Sequence, residues 1–157
     1  MPPVMQRRAD PVDKPLHRKI AADLFNYTWT LLERTDRSAE EDAEMIHSAH
    51  ASLYHWRHAG GAVNFSIGEW QISRVYSVLG HAEPARYHAQ RALEFAERKR
   101  VGRFYLAYAR EACARAAAVA GDRPQRNQHL RAAKRISASV RELRARRMLL
   151  ADLATIP

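Results

Sequence analysis

The chain has 157 residues, which is enough for one domain with a sizeable core, and its 46% hydrophobic and 27% charged residues are ordinary for a globular protein. No segment approaches the roughly 18 apolar residues of a membrane-spanning helix, so no membrane association is expected. The net charge is +9, which either favours anionic partners or reflects a solvated basic surface.

The N-terminal segment MPPVMQRRADPVDKP is polar, is interrupted by proline and lacks the apolar centre of a signal peptide. Residues 1–14 are therefore predicted to form a flexible arm, and residues 15–157 a single helical-repeat domain. The one cysteine, Cys113, cannot form an intrachain disulfide. A reduced, cytoplasmic setting is expected, with Cys113 as a small buried hydrophobe.

Apolar residues spaced three or four apart predict a helix over 16–32. A second helix follows Ser38 and its acidic run AEED, and it reaches about residue 58. Gly60-Gly61 is the clearest turn in the chain. The third helix, 62–79, is apolar around most of its circumference, which is typical of a central helix. Its polar residues form one stripe: Ser66, Glu69, Ser73 and Ser77.

Glycine and proline punctuate the second half of the chain. Gly80 is predicted to end the third helix, and Pro84 to open a fourth that reaches about residue 100. Gly102 separates the fourth helix from a fifth over 103–120. Gly121 then ends the fifth helix and Pro124 opens a sixth. A last amphipathic stretch runs from about residue 139.

The same turn occurs twice, since the segment from Gly80 to Pro84 recurs 41 residues later as Gly121 to Pro124. Each glycine closes one helix and each proline opens the next. The first two helices fit the same period, with a turn at 36–38. This pattern predicts three helix hairpins and a terminal helix that could cap them.

The second hairpin, EWQISRVYSVLGHAEPARYHAQRALEFAER, resembles a tetratricopeptide repeat. It matches that pattern at Tyr76, Ala85, Ala92 and Leu93, and the third hairpin matches at Ala114, Leu130 and Ala133. The first hairpin matches by period alone. The period of about 41 is longer than the family's 34, and the family's usual Trp and Leu-Gly positions are displaced. The strings HW, GEW, SRVY, LG and DLATIP are also similar to those of a group of uncharacterised bacterial helical proteins.

The resemblance implies an all-α fold: a right-handed stack of three antiparallel helix hairpins with a C-terminal capping helix. In such stacks the first helix of each hairpin lines a concave groove, at positions thirteen, ten and six before the turn glycine. These positions hold Ile67, Trp70 and Arg74 in the second hairpin and Tyr108, Glu111 and Arg115 in the third, with Asn26, Tyr27 and Thr30 expected nearby in the first.

Arg74 is the most informative of these candidates, because it falls between apolar positions on its helix and needs an acceptor. Either another helix supplies a carboxylate, with Glu44 and Glu94 as candidates, or the acceptor is a ligand in the groove. Two arginines framed by Trp70 and Tyr108 would suit a carboxylate or an acidic peptide.

Four histidines on the second helix include two pairs with the spacing of metal ligands: His47 with His50, and His55 with His58. No glutamate of the zinc-protease type separates them and no cysteine is near. They are therefore weak candidates, and we expect neither a metal nor another cofactor.

No glycine-rich phosphate loop, GxSxG elbow or HExxH motif occurs, and we expect no enzymatic activity. The leading interpretation is a non-enzymatic interaction module that binds a protein or peptide segment in the groove, and a homodimer is one arrangement open to it. The alternative is weak electrostatic binding of nucleic acid by the C-terminal helices, since residues 121–157 contain nine basic and three acidic residues.

Overall fold

The computed structural model describes residues 11–157, which form seven α-helices and no strand. The helices are α1 (Lys14–Leu32), α2 (Ala39–Ala59), α3 (Ala62–Val78), α4 (Ala82–Arg98), α5 (Arg103–Val119), α6 (Arg123–Ser137) and α7 (Leu143–Ala154). The prediction of an all-α protein is confirmed. Most of the predicted arm, residues 1–10, lies outside the described residues, and Lys14 already belongs to α1.

Short-range polar contacts explain where several helices begin. The carboxylate of Asp13 accepts from the Leu16 backbone N–H at 2.8 Å, ahead of α1. The Ser38 hydroxyl and the Glu41 carboxylate form a reciprocal capping box at the start of α2. The carboxylate of Asp122 accepts from the Gln125 backbone N–H at 3.1 Å and so caps α6. These caps satisfy backbone donors that a helix N-terminus leaves without partners.

The two turn glycines end α3 and α5 as predicted. Gly80 has φ 76° and Gly121 has φ 72°, the left-handed conformation that glycine adopts without a steric penalty. In each turn the next residue donates its backbone N–H to the carbonyl five residues back: His81 to Tyr76 and Asp122 to Ala117, both at 2.9 Å. The shared geometry gives both hairpins the same turn.

The terminal helix begins later than the predicted residue 139. Val140 is buried in a turn before the helix, and the Glu142 carboxylate then caps α7 by accepting from the backbone N–H groups of Arg144 and Ala145. None of the helices within residues 11–157 combines the length and the apolarity that a bilayer crossing requires.

The helices pack as consecutive pairs, α1 with α2, α3 with α4, and α5 with α6. The central position predicted for α3 is confirmed, because it contacts α1, α2, α4 and α5. α7 packs on α5 and α6. The polar stripe of α3 is buried, and two of its serines donate to carbonyls of α4: Ser66 to Ala92 at 3.0 Å and Ser73 to Ala85 at 2.8 Å.

Alanine dominates the interface between α4 and α5. One buried cluster contains Ala85, Ala89, Ala92, Ala96, Ala109, Ala112 and Ala116, together with Leu93 and Cys113. Small side chains allow the two helix backbones to approach closely, which explains the alanine-rich composition of this region. Cys113 is buried as expected, and burial raises the pKa of its thiol to about 12.

Candidate functional site

The predicted groove residues meet where α3 lies against α5. The indole Nε1 of Trp70 donates to Oε2 of Glu111 at 2.7 Å, and the Glu111 side chain is fully buried. These two residues are 41 positions apart, which is also the spacing of the two turn glycines. A buried carboxylate needs donors or counter-charges, and Glu111 has three of them.

The other two donors are the arginines of the predicted groove. Arg74 Nη1 donates to Oε1 of Glu111 at 3.1 Å, and Arg115 Nε donates to the same oxygen at 2.7 Å. The acceptor of Arg74 is therefore a carboxylate on α5, and it is neither Glu44 nor Glu94. Burial lowers the pKa of the Arg74 guanidinium, and the nearby charge of Arg115 adds to this effect.

Arg115 also anchors the C-terminal helix. Its Nη2 donates to the backbone carbonyl of Asp152 at 3.1 Å and to the hydroxyl of Thr155 at 2.8 Å. The Tyr108 hydroxyl donates to the Asp152 carboxylate at 2.8 Å, and burial together with this bond raises the pKa of Tyr108 far above its usual value. α7 is thus held against the face of α5 that carries the candidate site.

A cavity of about 340 Å³ opens beside this polar network. We call it the aromatic cavity; it is lined by Phe25, Trp29, Ser66, Ile67, Trp70, Phe104, Tyr105, Tyr108, Met148 and Asp152. The rings pack edge to face or tilted, with centroid distances of 5.5 Å for Trp29–Trp70, 5.0 Å for Trp70–Tyr108 and 5.1 Å for Phe104–Tyr108. Its walls come from α1, α3, α5 and α7.

The predicted groove residues divide into three groups. Ile67, Trp70 and Tyr108 line the aromatic cavity. Arg74, Glu111 and Arg115 form the ion-pair network behind it. Asn26 is exposed and does not line the cavity, where α1 instead contributes Phe25 and Trp29.

Sequence reasoning missed Trp29, although a signal for it was present. Trp29, Trp70 and Glu111 are spaced by 41 residues, so the period that aligns Trp70 with Glu111 also aligns Trp29. The first hairpin lacks a turn glycine, so it offers no reference point from which to count the groove positions. No pattern in the sequence predicts that Met148 and Asp152 line the cavity, because only the packing of α7 places them there.

The four weak metal candidates do not form one site. His47 is exposed, while His50 Nε2 lies 3.1 Å from the Tyr76 hydroxyl. His55 and His58 instead meet the buried His17: its Nδ1 is 2.7 Å from that of His55, and its ring stacks on His58 with a centroid distance of 4.4 Å. Among residues 11–157 no group of three or more His, Cys, Asp or Glu side chains is arranged to hold a metal ion.

The basic C-terminal segment presents its charge to solvent. Exposed cations on and between α6 and α7 are Arg123, Arg131, Lys134, Arg135, Arg141, Arg144 and Arg147.

Comparisons with protein-family models, with curated proteins and with solved structures give no significant match.

Proposed function

We propose that the three hairpins form a right-handed, tetratricopeptide-like stack, and that the chain is a non-enzymatic module that binds a segment of a protein or peptide partner in its concave groove. The packing order supports this proposal. The first helices of successive pairs touch, α1 with α3 and α3 with α5, and each second helix packs on the following first helix. Such an order leaves one continuous face formed by first helices.

The aromatic cavity is the observation that carries the proposal. It is open, it is lined by six aromatic side chains, and it lies on the first helices and α7. An apolar concavity with a few polar groups at its edge is typical of a binding site. A partner that inserts an aromatic or aliphatic side chain would bury that side chain against Trp29, Trp70 and Tyr108.

The charges beneath the cavity favour an apolar anchor over an acidic one. Arg74 and Arg115 are both paired with Glu111, and Asp152 adds a second carboxylate at the rim. The two positive and two negative charges balance. A carboxylate ligand would add a third negative charge to this balanced set, which makes the acidic peptide the weaker alternative.

A peptide selection tests this proposal. Random peptides displayed on phage and selected on the full chain should share an aromatic or aliphatic residue, and Ile67→Glu should abolish their binding by placing a charge at the cavity wall. Val78→Glu is the matched control, since Val78 lies on the same helix, is 45% exposed and does not line the cavity. Equal loss of binding in both variants contradicts the proposal.

Weak binding of nucleic acid is the second candidate function, and the exposed cations of α6 and α7 favour it. Within residues 11–157 none of Arg131, Lys134, Arg135 and Arg141 has an ion-pair partner, so all four can reach phosphates. Binding of this kind should weaken steeply with salt, because each phosphate contact releases counterions. Affinity for a random-sequence duplex that does not change between low and physiological salt argues against it.

A further inference from the structure

A second cavity, of about 370 Å³, lies between α2 and α4 and has a different chemical character. We call it the α2–α4 cavity; it is lined by His50, Leu53, Tyr54, Arg57, Glu69, Tyr87, His88 and Arg91. It shares no lining residue with the aromatic cavity. Two arginines, two histidines and two tyrosines make it a concentration of hydrogen-bond donors.

A buried carboxylate organises two of these donors. Glu69 is 3% exposed; it accepts from His88 Nδ1 at 2.6 Å and from Arg91 Nε at 2.9 Å. Burial alone would raise the pKa of Glu69, but the hydrogen bonds from His88 and Arg91 outweigh it and leave the pKa below its usual value. Glu69 is therefore an anion that fixes His88 and Arg91 in place.

Glu69 accepts a hydrogen bond from only one nitrogen of each partner. Arg91 bonds through Nε, which leaves its two Nη groups without a hydrogen-bond partner among the described residues, and its guanidinium lies 5.9 Å from the Tyr87 ring centroid and 5.6 Å from that of Phe95. His88 donates its Nδ1–H to Glu69, so the Nε2 of the neutral ring is an acceptor. The free donors fixed by Glu69 are therefore the two Nη groups of Arg91, which are oriented before any ligand arrives.

Arg57 enters the same cavity from α2. It has no ion pair or hydrogen bond within residues 11–157, and it is exposed. Together the charged residues that line the cavity are Arg57, Arg91 and Glu69, so the site carries one excess positive charge when both histidines are neutral. Burial and the neighbouring His88 lower the pKa of His50, which favours the neutral form of that imidazole.

We propose that the α2–α4 cavity is a binding site for a small phosphate monoester that carries an aromatic ring. Guanidinium groups reach it from two helices, Arg57 from α2 and Arg91 from α4, which suits the several oxygens of a phosphate better than the two of a carboxylate. Tyr54 and Tyr87 are 57% and 59% exposed at the cavity, and they offer ring faces to the rest of the ligand. The cavity volume exceeds that of a lone phosphate group.

Isothermal titration calorimetry at pH 7 with phenyl phosphate tests the site on the full chain. We expect saturable binding to one site, with benzoate at least about tenfold weaker because it has the ring without the phosphate. Arg57→Gln and Arg91→Gln should each weaken binding by about tenfold or more. Arg86→Gln is the matched control: it removes an exposed arginine from α4 that does not line this cavity.

Two site variants are used because a loss of binding in one of them could result from misfolding. Arg91→Gln removes a partner of Glu69, and its melting curve must be compared with that of the parent chain, whereas Arg57→Gln leaves every bond of Glu69 in place. The proposal fails if phenyl phosphate does not saturate, if benzoate binds equally well, or if Arg86→Gln weakens binding as much as Arg57→Gln. None of these outcomes bears on the aromatic cavity.

Discussion

Trp70 on α3 and Glu111 on α5 stand 41 residues apart and are joined by a 2.7 Å hydrogen bond from the indole Nε1 to the carboxylate. The same carboxylate accepts from Arg74 and Arg115. One fully buried acid therefore holds α3 against α5 and, through Arg115, orients the residues that anchor α7. The shape of the aromatic cavity depends on this contact.

Glu111→Gln should be strongly destabilising. It leaves two largely buried guanidiniums without a carboxylate, and breaking a buried pair in this way costs about 3–5 kcal/mol. Chemical denaturation monitored by circular dichroism measures the free energy of unfolding. Glu33→Gln, an exposed glutamate with no ion pair within the described residues, should change it by less than about 0.5 kcal/mol.

Arg74→Met should cost less than Glu111→Gln, about 1–2 kcal/mol, because Trp70 and Arg115 continue to donate to the carboxylate. The Arg74 side chain is also partly exposed, which reduces the worth of its ion pair. The ranking of the two variants in the same denaturation series is the measurement. A larger loss for Arg74→Met than for Glu111→Gln is incompatible with Glu111 as the centre of the network.

Tyr108→Phe should loosen α7 without unfolding the hairpins. The change removes the hydroxyl that donates to Asp152 and should cost about 1 kcal/mol. Amide hydrogen exchange should accelerate in α7 while the protection of α3 and α4 is maintained. Tyr105→Phe is the matched control, since Tyr105 lines the same cavity but its hydroxyl makes no hydrogen bond within residues 11–157. Equal acceleration in both variants contradicts this role of Tyr108.

The contribution of Glu69 to stability should depend on pH. Its folded-state pKa lies below the model-peptide value of 4.5, so its stabilising effect is fully present above that pH and is lost as the pH falls through the folded-state pKa. Glu69→Gln should therefore cost about 1–3 kcal/mol near neutral pH and progressively less in acid. Denaturation of both proteins from neutral pH to about pH 3 measures the difference. A stability difference that grows as the pH falls would contradict this contribution of Glu69.

Local signals in the sequence account for most of the fold. Gly80 and Gly121 end their helices because a left-handed turn favours glycine, and Ser38 and Asp122 begin helices because they cap backbone donors. These effects act over a few residues, so the sequence pattern reveals them. The start of α7 was predicted too early because the burial of Val140 depends on tertiary packing.

The candidate site was predicted less completely, for a physical reason. Repeat register identified Trp70, Arg74, Tyr108, Glu111 and Arg115 as neighbours, because equivalent positions of successive first helices lie side by side. Register alone does not reveal which side chains bond to each other. Glu111 was the missing acceptor for Arg74, and it stood at the same register position as Trp70.

The most direct test of the proposed function uses a selected peptide and intermolecular nuclear Overhauser effects. The chain has three indoles: Trp29 and Trp70 line the aromatic cavity, while Trp56 on α2 does not and serves as an internal control. We expect contacts from an apolar peptide side chain to the indole protons of Trp29 and Trp70 and none to those of Trp56. Contacts confined to Trp56, to Tyr54 or to the exposed residues of α6 would contradict binding in the concave groove.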